Sequence, residues 1–163
     1  DMSPWGSNPG KGRALGLAFA EGVGSLTAGV VEISLDEAQG KIRVHRVWAA
    51  IDAGLVIQPG NTIRQHEGAI LQGISSALLE SITIREGMVQ QSNFDTYPML
   101  TMADTPEIEI KLISSELPPA GVGEAALPFT GGAIGNAFAA LTGKRLRHLP
   151  FSAPSVRAAL GSA

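Results

Sequence analysis

The sequence predicts an α+β domain in which two main helices cover a mostly antiparallel sheet. Residues 107–114 alternate apolar side chains such as Ile108 and Ile110 with charged ones, which is the pattern of a half-buried strand. Residues 62–80 instead repeat apolar side chains at spacings of three and four, which is typical of an amphipathic helix. Because groups of strands alternate with single helices along 163 residues, the chain fits one domain with its own core.

The first third of the chain is predicted to be an arm followed by strands. Residues 1–13 are rich in Pro and Gly and predict an extended arm or linker. Residues 14–20 are small and apolar, as in a buried strand. The segments 28–35 and 41–51 flank a turn that contains Gly40, which predicts a β-hairpin.

The first helix follows a turn in which Asp52 is expected to bond its own backbone, with a site role as the minority alternative. Asn61 is the expected N-cap of this helix. Gly68 and Gly73 each cost about 1 kcal/mol relative to Ala inside a helix, so we expect something to pack close to their face. His66 lacks a second histidine at metal-binding spacing and is expected to be solvated or hydrogen-bonded.

The second half of the chain is predicted to hold a hairpin over 82–91, a long loop over 92–106 and the strand at 107–114. A helix of small residues then begins near Pro128. It should end at Gly143, which can adopt the left-handed conformation of a helix cap.

A short helix is predicted over 153–160, beginning at Ser152 with Pro154 in its first turn. The basic cluster 144–148 is expected to be solvated surface. The string Gly10-Lys11-Gly12 lacks the Lys-Ser/Thr ending and the preceding strand of a phosphate-binding loop.

Composition excludes several classes of function. A net charge of -3 argues against nucleic acid as the main partner. The chain has no cysteine, which removes disulfides, thiol catalysis and iron–sulfur ligation. No apolar run reaches the roughly 18 residues that a membrane span needs. Charged residues make up only 17%, against roughly 25% in a typical soluble domain, which predicts a piece of a larger assembly.

The candidate site is the loop Pro118-Pro119-Ala120-Gly121-Val122-Gly123-Glu124, between the last strand and the second main helix. Its glycines let the main chain approach a bound group closely, and it ends in one carboxylate. Close packing would partly desolvate Glu124, and desolvation raises the pKa of a carboxylate towards that of a general base. A purely structural role for Glu124 is the alternative, since a lone carboxylate in a Gly-rich turn is a weak signal.

Other catalytic patterns are absent from the sequence. Gly-x-Ser-x-Gly does not occur, and no second carboxylate close in sequence suits glycoside hydrolysis. The histidines at 45, 66 and 148 are scattered and do not show zinc spacing, so no metal ligand is assigned.

Several segments together resemble the molybdenum hydroxylases, the xanthine oxidase and aldehyde oxidase family, in the branch of the isoquinoline 1-oxidoreductase β subunit. The segments occur in the family's order from about Gly12 to Pro150 and are Arg64-Gln65-His66-Glu67-Gly68-Ala69-Ile70-Leu71-Gln72-Gly73, Gln91-Ser92-Asn93-Phe94-Asp95-Thr96-Tyr97-Pro98, Ala103-Asp104-Thr105-Pro106-Glu107-Ile108-Glu109, Gly121-Val122-Gly123-Glu124 and Thr142-Gly143-Lys144-Arg145-Leu146-Arg147-His148-Leu149-Pro150. The family often has Glu-Pro after the glycines, whereas here Ala125 to Leu127 separate Glu124 from Pro128.

The resemblance implies that residues 14–163 are the C-terminal segment of a molybdopterin-binding domain. It implies oxidation of an N-heterocycle or aldehyde with water-derived oxygen, with Glu124 as general base. Gln65 and the backbone of Ala120 to Gly123 would lie against the cofactor, and Gln72 is a weaker candidate.

The implied cofactor is molybdopterin, in the cytosine dinucleotide form that the bacterial branch favours, held mostly by protein outside this chain. The implied partners are the remainder of the large subunit, a small 2Fe-2S subunit and a small-molecule substrate. The isolated chain is expected to be inactive. A cytoplasmic location is expected, with the periplasm as the alternative. A non-catalytic scaffold or interaction domain derived from the same fold is the alternative function.

Overall fold

The computed structural model describes residues 3–161 and confirms the predicted fold class. Its elements in chain order are β1 (Arg13–Gly22), β2 (Ser25–Asp36), β3 (Lys41–Asp52), α1 (Pro59–Leu78), β4 (Ile84–Arg85), β5 (Met88–Val89), a 3-10 turn (Met102–Asp104), β6 (Glu107–Leu112), α2 (Leu127–Thr142) and α3 (Ala153–Leu160). Residues 1 and 2 of the predicted arm, and residues 162 and 163 at the other end, lie outside the described residues.

Four strands form the main sheet, in the order β1-β2-β3-β6. The pairs β1–β2 and β2–β3 are antiparallel, whereas β6 runs parallel to β3, with Ile51 opposite Leu112. Because parallel strands end at the same edge, the segments that follow Asp52 and Leu112 start side by side.

The two main helices pack on one face of this sheet and enclose the core. Its largest fully buried apolar side chains are Val31, Ile33, Val47, Ile70, Ile74, Phe129, Ile134 and Phe138. A Cβ on Gly16 would lie 2.0 Å from the Ala133 carbonyl oxygen, and one on Gly29 would lie 2.1 Å from the Phe129 ring. Helix α2 therefore lies closer to the sheet than a side chain at position 16 or position 29 would allow.

The first strand differs from the buried strand predicted over 14–20. It extends over Arg13–Gly22, and Leu17 and Phe19 near its middle are 41% and 61% exposed. The reason is that β1 is an edge strand with helices on one face only, so alternate side chains point away from the core.

The hairpin formed by β2 and β3 is confirmed, but β2 begins at Ser25, before the predicted start at Ala28. A turn at Val23 and Gly24 joins it to β1, and Val23 has a φ of 51°. A β-branched residue with positive φ is rare, so Val23 itself gives no turn signal, although Gly22 and Gly24 flank it.

Helix α1 begins at Pro59, and its N-cap is Gln58, not Asn61 as predicted. The Gln58 side chain accepts a hydrogen bond from the Gly60 amide at 3.1 Å. Proline suits the first helical position because it has no amide hydrogen to satisfy there. Asn61 instead lies inside the first turn.

Three further turns and helix ends are confirmed, whereas β6 ends at Leu112, two residues before the predicted end. The short hairpin β4–β5 turns at Glu86 and Gly87, both with positive φ. Gly143 ends α2 in the left-handed conformation, with a φ of 71°. Ser152 caps α3, its hydroxyl accepting from the Ser155 amide.

The environment of His66 contradicts the prediction of a solvated or hydrogen-bonded side chain. The residue is fully buried in α1, and neither ring nitrogen has a hydrogen-bond partner among residues 3–161. Burial lowers the pKa of His66 from 6.5 to about 4, because the charged imidazolium loses its hydration. The ring is therefore neutral at physiological pH and packs as part of the core.

We expect His66 to make folding stability depend on pH in mildly acidic solution. The pKa of His66 is lower in the folded chain, so the unfolded chain binds the proton more readily. Stability is then fully present above about pH 6.5 and falls by roughly 3 kcal/mol as the pH approaches 4. His66→Leu should remove most of this slope in denaturant titrations at several pH values, whereas His148→Leu on the exposed surface should keep it. An unchanged slope in His66→Leu would contradict the assignment.

The two glycines inside α1 differ in their surroundings. A Cβ on Gly73 would lie 2.1 Å from the Thr130 hydroxyl oxygen of α2, whereas one on Gly68 would have no atom within 4 Å. The expected close packing is therefore confirmed at Gly73 and wrong at Gly68 in this chain.

The two glycines provide a matched pair of substitutions on one helix. We expect Gly73→Ala to destabilise the fold by about 1–3 kcal/mol, because α1 and α2 must separate. Gly68→Ala should instead stabilise it by about 0.5–1 kcal/mol, because alanine restricts the unfolded chain and favours the helix. Thermal denaturation followed by circular dichroism measures both, and equal effects would contradict the close contact.

Candidate functional site

The candidate loop starts at the sheet edge where β3 and β6 both end. The Leu55 amide donates to the Leu117 carbonyl at 2.8 Å, and the Ala120 amide donates to the Ala53 carbonyl at 2.9 Å. These bonds tie the loop to the segment that follows β3. The parallel pairing of β3 and β6 therefore determines where the loop lies.

Gly54 makes this contact possible. Its φ is 67°, and a Cβ at this position would lie 2.1 Å from the Pro118 carbonyl oxygen. Asp52 shapes the same turn, because its side chain accepts from the Gly54 amide at 3.0 Å. The predicted structural role of Asp52 is confirmed.

The opposite side of the loop contacts the β1–β2 turn and the start of β2. The Gly121 amide donates to the Val23 carbonyl at 3.0 Å, and the Ser25 hydroxyl donates to the Gly121 carbonyl at 2.6 Å. The Thr27 hydroxyl donates to the Ala125 carbonyl at 2.9 Å. Sequence reasoning missed Ser25 and Thr27, although two hydroxyl residues at alternate positions of an apolar strand are a detectable signal.

Helix α1 contributes the third contact to the loop. The Gln65 side-chain amide donates to the Gly123 carbonyl at 2.9 Å, over a sequence separation of 58 residues. The structure thus brings together Gln65 and the loop that carries Glu124. Gln72 lies exposed further along α1, and its side chain makes no hydrogen bond among residues 3–161.

Glu124 occupies the turn that leads into α2. Its carbonyl accepts from the Leu127 amide at 3.0 Å, and its side chain is exposed. Within the described part of the chain, the Glu124 carboxylate forms no hydrogen bond and no ion pair. The expected desolvation is therefore not provided by these residues, and the carboxylate is free to interact with an external group.

The loop presents backbone donors as well as the carboxylate. In a trans peptide the carbonyl and the following amide point in opposite directions. Because Ser25 and Gln65 hold the carbonyls of Gly121 and Gly123, the next amides, of Val122 and Glu124, point away from those partners. Neither amide donates to another residue in the described chain, and a Cβ on Gly123 would have no atom within 4 Å.

This set of groups fits one side of a pterin cofactor. The backbone amides of Val122 and Glu124 offer donors to a heteroatom-rich ring. The Gln65 side-chain oxygen and the Glu124 carboxylate offer acceptors. Between residues 3 and 161, no cluster of three or more His, Asp or Glu side chains is placed to hold a metal ion. Ala120 and Gly121 contribute by fixing the loop, since their amides bond Ala53 and Val23.

Comparison with known proteins decides the family. Residues 12–106 match the model of the molybdopterin cofactor-binding domain, which includes Ser25, Thr27 and Gln65 but ends before the loop. The chain belongs to the molybdopterin cofactor-binding domain family. The resemblance to molybdenum hydroxylases seen in the sequence is confirmed.

Two curated relatives of this molybdopterin cofactor-binding domain extend the match through the loop region. The chain is 42% identical over 153 residues to isoquinoline 1-oxidoreductase subunit beta of Brevundimonas diminuta, covering 92% of this chain and 20% of the relative. It is 37% identical over 144 residues to the membrane-bound pyrroloquinoline-quinone aldehyde dehydrogenase of Gluconacetobacter polyoxogenes, covering 86% of this chain and 19% of that protein. The chain thus spans about a fifth of the length of these relatives.

A solved structure has the same fold. Quinoline 2-oxidoreductase from Pseudomonas putida 86 superposes with a TM-score of 0.76 at 22% identity, over 84% of this chain and 19% of that chain. Among the described residues of this molybdopterin cofactor-binding domain, no helix has the length and apolar character needed to span a membrane.

We expect Gln65→Ala to loosen the Glu124 loop. Loss of the bond to the Gly123 carbonyl should speed hydrogen exchange of the hydrogen-bonded amides of Ala120, Gly121 and Leu127 by roughly fivefold, as the loss of about 1 kcal/mol predicts. Gln72→Ala removes the same side chain from an exposed position of the same helix and should leave loop exchange unchanged. Hydrogen exchange with mass spectrometry measures both, and identical exchange in the two variants would contradict the contact.

Proposed function

We propose that this chain forms one wall of the cofactor site in the large subunit of a molybdenum hydroxylase. The enzyme would oxidise an N-heterocycle or an aldehyde with oxygen derived from water, and Glu124 would be the general base. The observation that carries this proposal is the Gln65–Gly123 hydrogen bond, which joins the family segment around Gln65 to the loop that carries Glu124.

The chain's own residues would bind and orient the cofactor. Gln65 and the backbone from Ala120 to Gly123 would contact molybdopterin, which is proposed to be in the cytosine dinucleotide form. When bound, this group supplies a molybdenum centre that accepts the electrons removed from the substrate. Most of the cofactor's contacts would come from protein outside this chain, because the loop is exposed on one side.

Glu124 is suited to accept a proton because its carboxylate has no partner within residues 3–161. A general base must reach the proton it removes, and an ion-paired carboxylate would be held away from it. Water exclusion around Glu124 would come from the rest of the large subunit. That cover would provide the desolvation that this chain alone does not.

The proposed partners are the remainder of the large subunit and a small 2Fe-2S subunit. The absence of cysteine from this chain requires that any iron–sulfur cluster be held elsewhere. The segment between α1 and β6 exposes Ile84, Phe94 and Met102 at 71%, 81% and 90%, as expected for a surface that other protein covers. We propose a cytoplasmic location, with the periplasm as the alternative.

The test replaces Glu124 in the complete enzyme. Glu124→Gln keeps the shape of the side chain but cannot accept the proton, so turnover should fall by about 100-fold or more. Molybdenum content, measured by inductively coupled plasma mass spectrometry, should stay at the wild-type level.

Glu116→Gln is the matched control, because Glu116 is an exposed glutamate earlier in the same segment. It should retain wild-type turnover and molybdenum content. Wild-type turnover in Glu124→Gln would overturn the proposed role and favour a scaffold domain without chemistry of its own.

A further inference from the structure

Three side chains hold alternate carbonyls of the loop around Glu124. The Ser25 hydroxyl donates a hydrogen bond to the Gly121 carbonyl at 2.6 Å, and the Thr27 hydroxyl donates one to the Ala125 carbonyl at 2.9 Å. Between them, the Gln65 side-chain amide donates to the Gly123 carbonyl at 2.9 Å. The backbone before and after Glu124 is therefore tied to the body of the domain, through the carbonyls of Gly123 and Ala125.

The two hydroxyl donors differ from Gln65 in burial. Ser25 and Thr27 are 0% and 1% exposed, whereas Gln65 is at the surface. Water cannot replace a buried donor, so removing either hydroxyl leaves a loop carbonyl without its partner. The Thr27 hydroxyl also lies 3.3 Å from the Ala20 carbonyl, but its bond to Ala125 is the shorter one.

The strand that carries these hydroxyls is rigid. Ser25 and Thr27 are alternate residues on one face of β2, at its first and third positions. Ser25 pairs with Gly22 of β1, and Thr27 pairs with Ala20 of β1 and Ile51 of β3. Both hydroxyls thus project from strand backbone that is paired in the sheet, which can set the position of the loop.

The turn before β2 supports the same contact at the expense of an unfavourable backbone conformation. Val23 adopts a φ of 51° while its carbonyl accepts from the Gly121 amide at 3.0 Å. A Cβ on Gly121 would lie 2.8 Å from the Val23 Cβ, so the two segments are in tight contact. Backbone strain of this kind persists where the surrounding structure holds it, and it concentrates near functional sites.

We infer that Ser25 and Thr27 are positioning residues, whose buried hydroxyls hold the backbone on either side of Glu124 and thereby aim its carboxylate. This inference rests on the proposed role of Glu124. It adds β2, a strand outside the loop and remote from it in sequence, to the elements that set the geometry of proton transfer.

The test uses Thr27→Val, Thr27→Ser and Ser25→Ala in the complete enzyme. Thr27→Val keeps the side-chain shape but removes the donor, so kcat should fall about tenfold while KM changes less than about twofold. Thr27→Ser restores the hydroxyl and should return kcat to within about threefold of wild type. Ser25→Ala should lower kcat in the same direction as Thr27→Val.

Hydrogen exchange gives a second readout that does not depend on turnover. The hydrogen-bonded amides of Ala120, Gly121 and Leu127 should exchange about fivefold faster in Thr27→Val and in Ser25→Ala, and at the wild-type rate in Thr27→Ser. The control is Thr142→Val, which removes a hydroxyl bonded to the Phe138 carbonyl at the far end of α2. It should change neither kcat nor loop exchange.

The outcomes separate this inference from the proposed function. If Glu124→Gln is inactive while Thr27→Val and Ser25→Ala keep wild-type kcat and loop exchange, only the role of the two hydroxyls is wrong. If Glu124→Gln remains fully active, both are wrong. The inference would also be overturned if Thr27→Ser lost as much kcat as Thr27→Val. The shape of the side chain, and not its hydrogen bond, would then explain the loss.

Discussion

The close approach of α2 to the sheet and to α1 is the constraint on which the rest of the structure depends. Gly16, Gly29 and Gly73 stand where α2 passes, and a Cβ on any of them would lie within about 2 Å of an atom of that helix. Each glycine backbone thus lies directly against α2, in turn against the Ala133 carbonyl, the Phe129 ring and the Thr130 hydroxyl. Since α2 cannot shift without breaking three such contacts, its first turn is fixed, and so is the end of the loop that enters it.

The start of the loop is fixed by a different device, the parallel pairing of β3 with β6. Both strands end at one sheet edge, and Gly54 lets the two following segments meet there. Between these two fixed ends, side chains from β2 and α1 hold the loop carbonyls. The candidate site therefore combines contacts from five elements, which are β2, β3, β6, α1 and α2.

Local sequence patterns were sufficient for much of the fold. Alternation identified β6, the spacing of apolar residues identified α1, and Gly143 and Ser152 marked helix ends, because each signal depends on neighbours in sequence. The positive φ of Val23, the burial of His66 and the hydroxyl bonds of β2 depend on residues far away in the chain. The pairing of Gln65 with the Glu124 loop came from family resemblance, since no spacing rule connects residues 58 positions apart.

The order of contacts along the chain has a consequence for folding kinetics. The pairs β1–β2 and β2–β3 join adjacent segments and close short loops, so we expect them to form early. The bonds from Ser25 to Gly121 and from Thr27 to Ala125 span 96 and 98 residues and therefore close much longer loops. The chain therefore pairs β1, β2 and β3 before its loop is secured, and during synthesis the glutamate would settle only after the chain has been made as far as Ala125.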